Sequence, residues 1–237
     1  MVGIGPGDLD QLTYQARSVL EEVEVIIGYR PYLDLIAPLI VRQTLIASGM
    51  TQEVERCQQA VALARAGKSV AVVSSGDPGV YGMAGLVLEL LGTDPDIPVE
   101  IVGGLTAAQA AAACLGAPLM NDFAVLSLSD RLNPWECIIK KVELAALADL
   151  VLVLYNPKSK TRVRQIDEVQ QVLLRHRAPV TPVGIVRNAK RGESQVTLTN
   201  LAEFTTEPID MFCTVIIGNS QTRVLGKWLV TPRGYAL

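Results

Sequence analysis

Short apolar runs alternate with amphipathic stretches along the first half of the chain. Runs rich in β-branched residues predict strands at residues 1–4, 23–27, 70–74 and 99–102. Apolar residues at a spacing of three to four positions predict helices at residues 12–22, 51–66, 83–91 and 106–114. Gly67 follows the second of these helices and fits its C-terminal cap. Because strands and helices alternate, we expect a mainly parallel sheet with right-handed crossovers.

In the second half of the chain the strand runs crowd together. Strands are predicted at residues 123–128, 150–154, 183–186, 195–198 and 212–217, and helices near residues 134–148 and 162–175. Strands that follow one another without a helix imply hairpins, so this half predicts a mixed sheet. We therefore expect an α/β protein of two lobes, an N-terminal lobe over residues 1–115 and a C-terminal lobe over residues 116–237.

Composition supports this fold class and excludes some functions. Hydrophobic residues make up 49% of the 237 residues and aromatic residues only 5%, so the core is expected to be aliphatic, as in buried parallel strands.

The formal net charge of −3 produces no electrostatic field that would attract a nucleic acid. The four cysteines form no C-x-x-C pair, so we expect neither a metal nor an iron–sulfur cluster. No targeting segment or membrane-spanning run is found, which predicts a cytoplasmic protein.

Three loops rich in glycine, proline and small polar residues follow predicted strands of the first lobe. They cover residues 5–8, 75–82 and 103–106. Ligands of parallel α/β sheets bind at the carboxyl ends of the strands, so the three loops are expected to share one edge.

The first loop, Gly3-Ile-Gly-Pro-Gly-Asp8, has similarities to a dinucleotide-binding turn but departs from it. That fingerprint is Gly-x-Gly-x-x-Gly, and Asp8 stands where its third glycine belongs. Pro6 lacks the N–H group that would face a pyrophosphate, and a carboxylate would repel one. We interpret the loop as one for a cationic or neutral ligand. A dinucleotide oxidoreductase and a purely structural turn remain alternatives.

Taken in order, these loops resemble the tetrapyrrole methyltransferase family. The resemblance rests on residues 3–8, 12–13, 76–78 with 81–82, 103–107 and 155–156. It implies that S-adenosylmethionine binds in a cleft between the two lobes and leaves as S-adenosylhomocysteine. The positions it assigns to the cofactor are Pro6, Ser75, Gly76, Asp77, Val80, Thr106, Ala107, Asn156 and Ala189. In some relatives Asn156 is replaced by Met and Ala189 by Gly, so contacts at these two positions are expected to use the backbone.

Within that family the chain resembles the precorrin-3B and cobalt-factor III C17-methyltransferases. Segments 28–32, 76–81, 126–136, 155–159 and 231–235 carry this resemblance. It implies C-methylation at carbon 17 of a corrin precursor, with associated ring contraction, in cobalamin biosynthesis. A tetrapyrrole substrate and a homodimer are expected, with no nucleic-acid or membrane partner. A methyltransferase for another tetrapyrrole carbon, an RNA- or protein-modifying relative, and a non-catalytic tetrapyrrole or nucleotide carrier are the alternatives.

Ring contraction requires proton transfers, and four polar residues are candidates for them: Asp8, Tyr29, Arg30 and Asp130. Each also has a structural interpretation: a helix cap for Asp8, packing for Tyr29, a surface charge for Arg30 and a turn for Asp130. The substrate of such an enzyme carries many carboxylates. We expect a clamp of cations for them, formed by Arg30, Lys158, Lys160 and Arg187.

Overall fold

The computed structural model describes residues 1–94 and 96–236. The chain folds as two compact units, Met1–Ala107 and Ala108–Leu237. Among the residues described, no helix is both long and apolar enough to cross a bilayer.

The first unit contains a parallel sheet of four strands, as the alternation of strands and helices predicts. The strands are β1 (Val2–Gly3), β2 (Val25–Tyr29), β3 (Thr44–Ser48) and β4 (Val70–Ser74). Their order is β1-β4-β2-β3, and every neighbouring pair is parallel. The helices are α1 (Tyr14–Glu22), α2 (Arg30–Ile36), α3 (Glu53–Arg65) and α4 (Ala84–Leu91).

Helices cover both faces of this sheet, because successive side chains of its central strands point to opposite faces. Ile26 of β2 packs with α1 and α2, whereas Ile27, the next residue, packs with α3 and α4. Strands β2 and β4 are therefore buried on both faces, which explains their continuous aliphatic runs.

Gly67 ends α3 as predicted. The N–H of Gly67 donates to Ala64 O at 2.9 Å, and the N–H of Lys68 donates to Leu63 O at 3.1 Å.

Three sequence expectations for the first unit need correction. Of the strand predicted at residues 99–102, only Val102 pairs, through a parallel bridge to Val2. The edge strand β3 and the seven-residue helix α2 were not predicted. The second strand, predicted to end at residue 27, extends to Tyr29, and Arg30 is the first residue of α2.

The second unit contains a mixed sheet of five strands, which confirms that prediction. Its strands are β6 (Phe123–Ser127), β7 (Val151–Tyr155), β8 (Pro182–Arg187), β9 (Gln195–Asn200) and β10 (Cys213–Ile217). The order is β6-β7-β10-β8-β9; β6 and β7 are parallel, and the other neighbours are antiparallel. A small sheet that was not predicted joins β5 (Gly116–Ala117), β11 (Arg223–Leu225) and β12 (Trp228–Val230).

Helices cover both faces of the five-stranded sheet. They are α5 (Ala107–Leu115), α6 (Trp135–Leu147) and α7 (Gln165–Leu174). Leu152 and Val215 lie in one core cluster with α6 and α7, whereas Val153 and Val186 lie in another with α5. The boundary predicted after residue 115 and the division after residue 107 thus differ by one helix, since α5 packs on the second sheet.

Candidate cofactor and catalytic site

Three loops meet at the carboxyl ends of β1 and β4, the edge of the sheet expected from the sequence. Gly5 and Gly76 form an antiparallel bridge in which each N–H donates to the other residue's carbonyl, at 3.1 and 2.7 Å. The N–H of Gly3 donates to Val102 O at 2.9 Å, which brings in the segment that leads to the third loop. Backbone hydrogen bonds therefore hold all three loops together.

The carboxylate of Asp77 joins the second loop to the third. Its Oδ1 accepts the N–H of Gly79 at 2.8 Å, and its Oδ2 accepts the N–H of Gly104 at 3.0 Å. Both oxygens are thus engaged within the protein. A contact between Asp77 and a cofactor fits the backbone of this residue better than its side chain.

Glycine is required where the loops approach most closely. A Cβ atom on Gly104 would lie 2.1 Å from Gly76 O, and one on Gly3 would lie 2.6 Å from the same oxygen. Contacts this short do not occur in folded proteins, so both positions exclude a side chain. The Gly-rich first loop therefore serves close packing of backbone against backbone.

The structure brings together most of the cofactor positions predicted in the first unit. Pro6 is buried beside the Gly5–Gly76 bridge, and Ser75, Gly76 and Asp77 form the facing loop. A Cβ atom on Gly76 would lie 3.8 Å from Thr106 Cα and 4.0 Å from the backbone nitrogen of Ala107. The second and third loops therefore approach each other at Gly76. The surface consists of glycine, small residues and backbone carbonyls. It suits an uncharged or cationic ligand, and therefore fits a sulfonium cofactor.

Two further residues flank this surface. Val80 is 39% exposed on the second loop. Asp8 precedes the short 3-10 helix Leu9–Gln11, and its side chain makes no cap hydrogen bond there. The structural interpretation of Asp8 as the cap of the first helix is wrong, because Thr13 caps α1 by accepting the N–H of Ala16 at 3.1 Å.

Three further residues predicted for the site lie in the second unit, at one edge of its sheet. Both β7 and β8 run antiparallel to β10, and β6 runs parallel to β7. The three strands β6, β7 and β8 therefore end at the same edge. Asp130 follows β6, Asn156 follows β7 and Ala189 follows β8.

Asn156 and Asp130 are linked by Arg162, which the sequence analysis did not single out. Asn156 adopts a left-handed backbone conformation with φ of 50°, and its amide donates to Ser127 Oγ at 3.0 Å. Arg162 is 9% exposed and donates to Asn156 O at 2.8 Å. Its other terminal nitrogen lies 3.7 Å from Asp130 Oδ1, and Gln165 donates to Asp130 Oδ2 at 3.2 Å. Asp130 is thus more than a turn residue.

The N-terminus of α5 is held by a tyrosine of the same unit. The hydroxyl of Tyr155 accepts the N–H of Ala108 at 2.7 Å, and Tyr155 packs with Ala189 against the α5 cluster. The first N–H groups of a helix have no partner within the helix, so this hydroxyl satisfies one of them.

We expect the Tyr155→Phe variant to lose about 1–2 kcal/mol of unfolding free energy, because the N–H of Ala108 loses its acceptor while the ring still packs. Urea unfolding measures the change. The exposed Tyr14 offers a matched control, since Tyr14→Phe removes a hydroxyl from a side chain that is 93% exposed. Equal stabilities for the two variants would contradict the role given to Tyr155.

The four cations predicted to clamp carboxylates differ in their surroundings. Arg30 and Lys160 are exposed and Lys158 is half-buried; within residues 1–94 and 96–236 no ion pair is recorded for these three. Arg187 instead donates an N–H, at Nε, to Asp210 Oδ2 at 2.9 Å.

Tyr29 occupies the N-cap position of α2. Its ring packs edge-to-face against the ring of Tyr32, with 5.2 Å between the ring centres. In the part of the chain that the structure describes, no group of three side chains suits a metal ion.

Comparison with known proteins identifies the relatives of this chain. Residues 1–205 match the family described as tetrapyrrole (corrin/porphyrin) methylases. A cobalt-factor III methyltransferase of Priestia megaterium is 48% identical over 99% of this chain, which spans only 44% of that protein. A probable cobalt-factor III C(17)-methyltransferase of Salmonella typhimurium is 44% identical over 100% of this chain and 99% of its own length.

Solved structures agree in fold. The crystal structure of the methyltransferase CobJ superposes with a TM-score of 0.92 at 38% identity and covers 98% of both chains. A uroporphyrin-III C-methyltransferase of Thermus thermophilus in complex with S-adenosylhomocysteine has a TM-score of 0.71 at 25% identity, over 92% of this chain and 95% of its own.

The fold and the family match define an S-adenosylmethionine-dependent methyltransferase. More particularly, the chain belongs to the tetrapyrrole (corrin/porphyrin) methylase family.

Proposed function

We propose that this protein methylates carbon 17 of a corrin precursor, precorrin-3B or cobalt-factor III, in cobalamin biosynthesis and supports the associated ring contraction. The observation that carries the proposal is the 44% identity, over nearly the full length of both chains, to the probable C(17)-methyltransferase of Salmonella typhimurium. The loop surface around Gly76 supports it, because that surface suits a sulfonium cofactor and not a pyrophosphate.

Bound S-adenosylmethionine would supply an electrophilic methyl group for an in-line displacement by the macrocycle carbon. The chain's part in such a reaction is mainly to align the two partners and exclude water. We assign the cofactor to the loops that carry Pro6, Ser75–Asp77, Val80 and Thr106–Ala107, together with Asn156 and Ala189. The close backbone contacts among the first three loops support this assignment, because they form a surface whose shape is fixed.

For the proton transfers we propose Asp8, Tyr29, Arg30 and Asp130. Asp130 has the strongest support, since Arg162 and Gln165 both contact its carboxylate and fix its position. A general base must be held where it can reach its proton. Arg30, Lys158 and Lys160 are proposed to bind substrate carboxylates, because no ion pair is recorded for them in the described part of the chain.

The direct test supplies the protein with S-adenosylmethionine carrying a ¹³C-labelled methyl group and with either precorrin-3B or cobalt-factor III. Carbon NMR and mass spectra of the tetrapyrrole should show one new methyl group at carbon 17 and one equivalent of S-adenosylhomocysteine. A label at another carbon would favour the alternative methyltransferase. Binding of both ligands without transfer would indicate a carrier.

We also propose that the protein acts as a homodimer in the cytoplasm. The four cysteines are free, which suits a reducing compartment. Light scattering coupled to gel filtration would measure the mass of the particle, and a mass of about one chain would contradict the dimer.

A further inference from the structure

A cavity lies on one face of the second sheet, at the carboxyl end of β8. Its volume is about 250 Å³, and its lining comes from two strands and one loop: Ile185, Arg187, Gln195, Thr197, Pro208, Ile209 and Asp210. Arg187 pairs with Gln195 across the two strands, and Ile185 pairs with Thr197. Alternate residues share a face, so these four side chains point to the same side. The lining thus combines three apolar residues with two uncharged polar ones and the charged pair of Arg187 and Asp210.

The guanidinium group of Arg187 contacts Asp210 along its Nε edge and Phe212 on one face. Its Nε donates to Asp210 Oδ2 at 2.9 Å, and its central carbon lies 5.8 Å from the centre of the Phe212 ring. In the described part of the chain no hydrogen bond is recorded for its two terminal nitrogens, and the side chain is 37% exposed. The outer edge of the group therefore offers two N–H donors in the geometry that matches a carboxylate.

The partner of Arg187 is itself fixed. Asp210 Oδ1 accepts the N–H of Phe212 at 2.9 Å and contacts Cys213 Sγ at 3.4 Å. Burial raises the pKa of Cys213 to about 11, so this thiol is a donor at neutral pH. Partial burial acts to raise the pKa of Asp210, but the hydrogen bonds from Arg187 and Phe212 lower it, so the carboxylate stays ionised. Asp210 is therefore held by Phe212 and Cys213 and can orient Arg187.

We propose that Arg187 binds one carboxylate of the substrate's peripheral acid arms, with the arm's methylene groups in the cavity, and that Asp210 is a positioning residue for this contact. The inference rests on the proposed function, since that function supplies a substrate with such arms. It separates Arg187 from Arg30, Lys158 and Lys160, which form no ion pair within residues 1–94 and 96–236 that would orient them.

A free dicarboxylic acid presents the same chemistry as an acid arm. Uroporphyrin III, a stable tetrapyrrole with acetate and propionate arms, and glutarate are therefore the two probes. Binding of the porphyrin is followed by its fluorescence in the presence and absence of glutarate. Neither measurement requires turnover, so a failure to methylate any corrin precursor would contradict the proposed function and leave this test intact.

The variants are Arg187→Gln, Arg187→Lys, Asp210→Asn and, as a control, Arg223→Gln. Arg223 is exposed on β11, and its replacement removes the same charge elsewhere in the unit. Arg187→Lys keeps the positive charge, so this variant still tests the contact if the glutamine variant does not fold. Thermal unfolding and calorimetric titration with S-adenosylhomocysteine show that each variant is folded and binds the cofactor product.

We expect Arg187→Gln to weaken porphyrin binding about tenfold or more, and Arg223→Gln to leave it unchanged. Asp210→Asn removes a negative charge beside the site, so attraction by charge alone would strengthen binding. A positioning role predicts the opposite, a weakening of about threefold or more, because the guanidinium loses its orientation.

Three results would overturn the proposal. The first is wild-type affinity for uroporphyrin III in both Arg187 variants, and the second is tighter binding of the porphyrin by Asp210→Asn. The third is binding of glutarate at this site without binding of the porphyrin. The last result would assign the cavity to small free acids.

Discussion

The Gly104→Ala variant is expected to lose both stability and cofactor binding. Its new methyl group would lie 2.1 Å from Gly76 O, so one of the two loops must move, and this strains the hydrogen bond from the N–H of Gly104 to Asp77. Forcing a methyl group into a closely packed site costs about 1–3 kcal/mol or more. Affinity for S-adenosylhomocysteine should fall at least about tenfold, since the displaced loop carries part of the proposed site.

The neighbouring glycine provides the control for this experiment. Among the described residues, a Cβ atom on Gly103 would come within 4 Å of Asp77 Oδ2 alone, at 3.4 Å, which is an ordinary contact. Gly103→Ala should therefore keep most of the affinity and stability of the wild type. Urea unfolding and calorimetric titration compare the two variants. Equal cofactor affinity in both would show that the contact between the loops plays no part in binding.

The Arg162→Gln variant is expected to have the second large effect. Its replacement leaves Asn156 O without its donor and Asp130 without its cation, at an estimated cost of about 1–3 kcal/mol of unfolding free energy. Methyl transfer should slow by at least about tenfold in kcat, because Asn156 and Asp130 would lose the side chain that links them and would be held only by Ser127 and Gln165.

A charge-matched control separates this effect from a general change in electrostatics. Arg164 is exposed two residues away, and Arg164→Gln removes the same charge without touching Asn156 or Asp130. Arg162→Lys keeps the charge but cannot span both partners, so its kcat is expected between the wild type and the glutamine variant. A purely structural role would lower the melting temperature and the active fraction while leaving the kcat of the folded enzyme unchanged.

The sequence predicts the central strands well but misses edge strand β3 and the short helix α2. Strands β2 and β4 are buried on both faces, so their aliphatic runs are continuous and easy to identify. The edge strand β3 begins with exposed Thr44 and Leu45 and has no such run. Helix α2 has only seven residues with Pro31 in its first turn, which is too short for helical periodicity to show.

In the candidate site, the sequence reveals the glycine-rich loops but not the pairs of charged residues. Glycine marks the loops at the first sheet in the sequence itself, because close backbone approach leaves no room for a side chain. The contact of Arg187 with Asp210 is different, since 23 positions separate the two residues along the chain. They meet only through the pairing of β8 with β10, whereas Asp130 and Arg162 meet through the pairing of β6 with β7. Pairing of distant charges depends on strand order, which sequence periodicity does not contain.

The hydrogen bonds among the three glycine-rich loops have a further consequence for binding. Because folding has already ordered this backbone, a ligand that docks there loses its own freedom but does not have to restrict the protein's. Binding of S-adenosylhomocysteine should therefore carry a small entropy penalty on the protein side. Hydrogen exchange at the amides of Gly76 and Gly104 should be slow even in the free protein, and nearly unchanged when ligand is added.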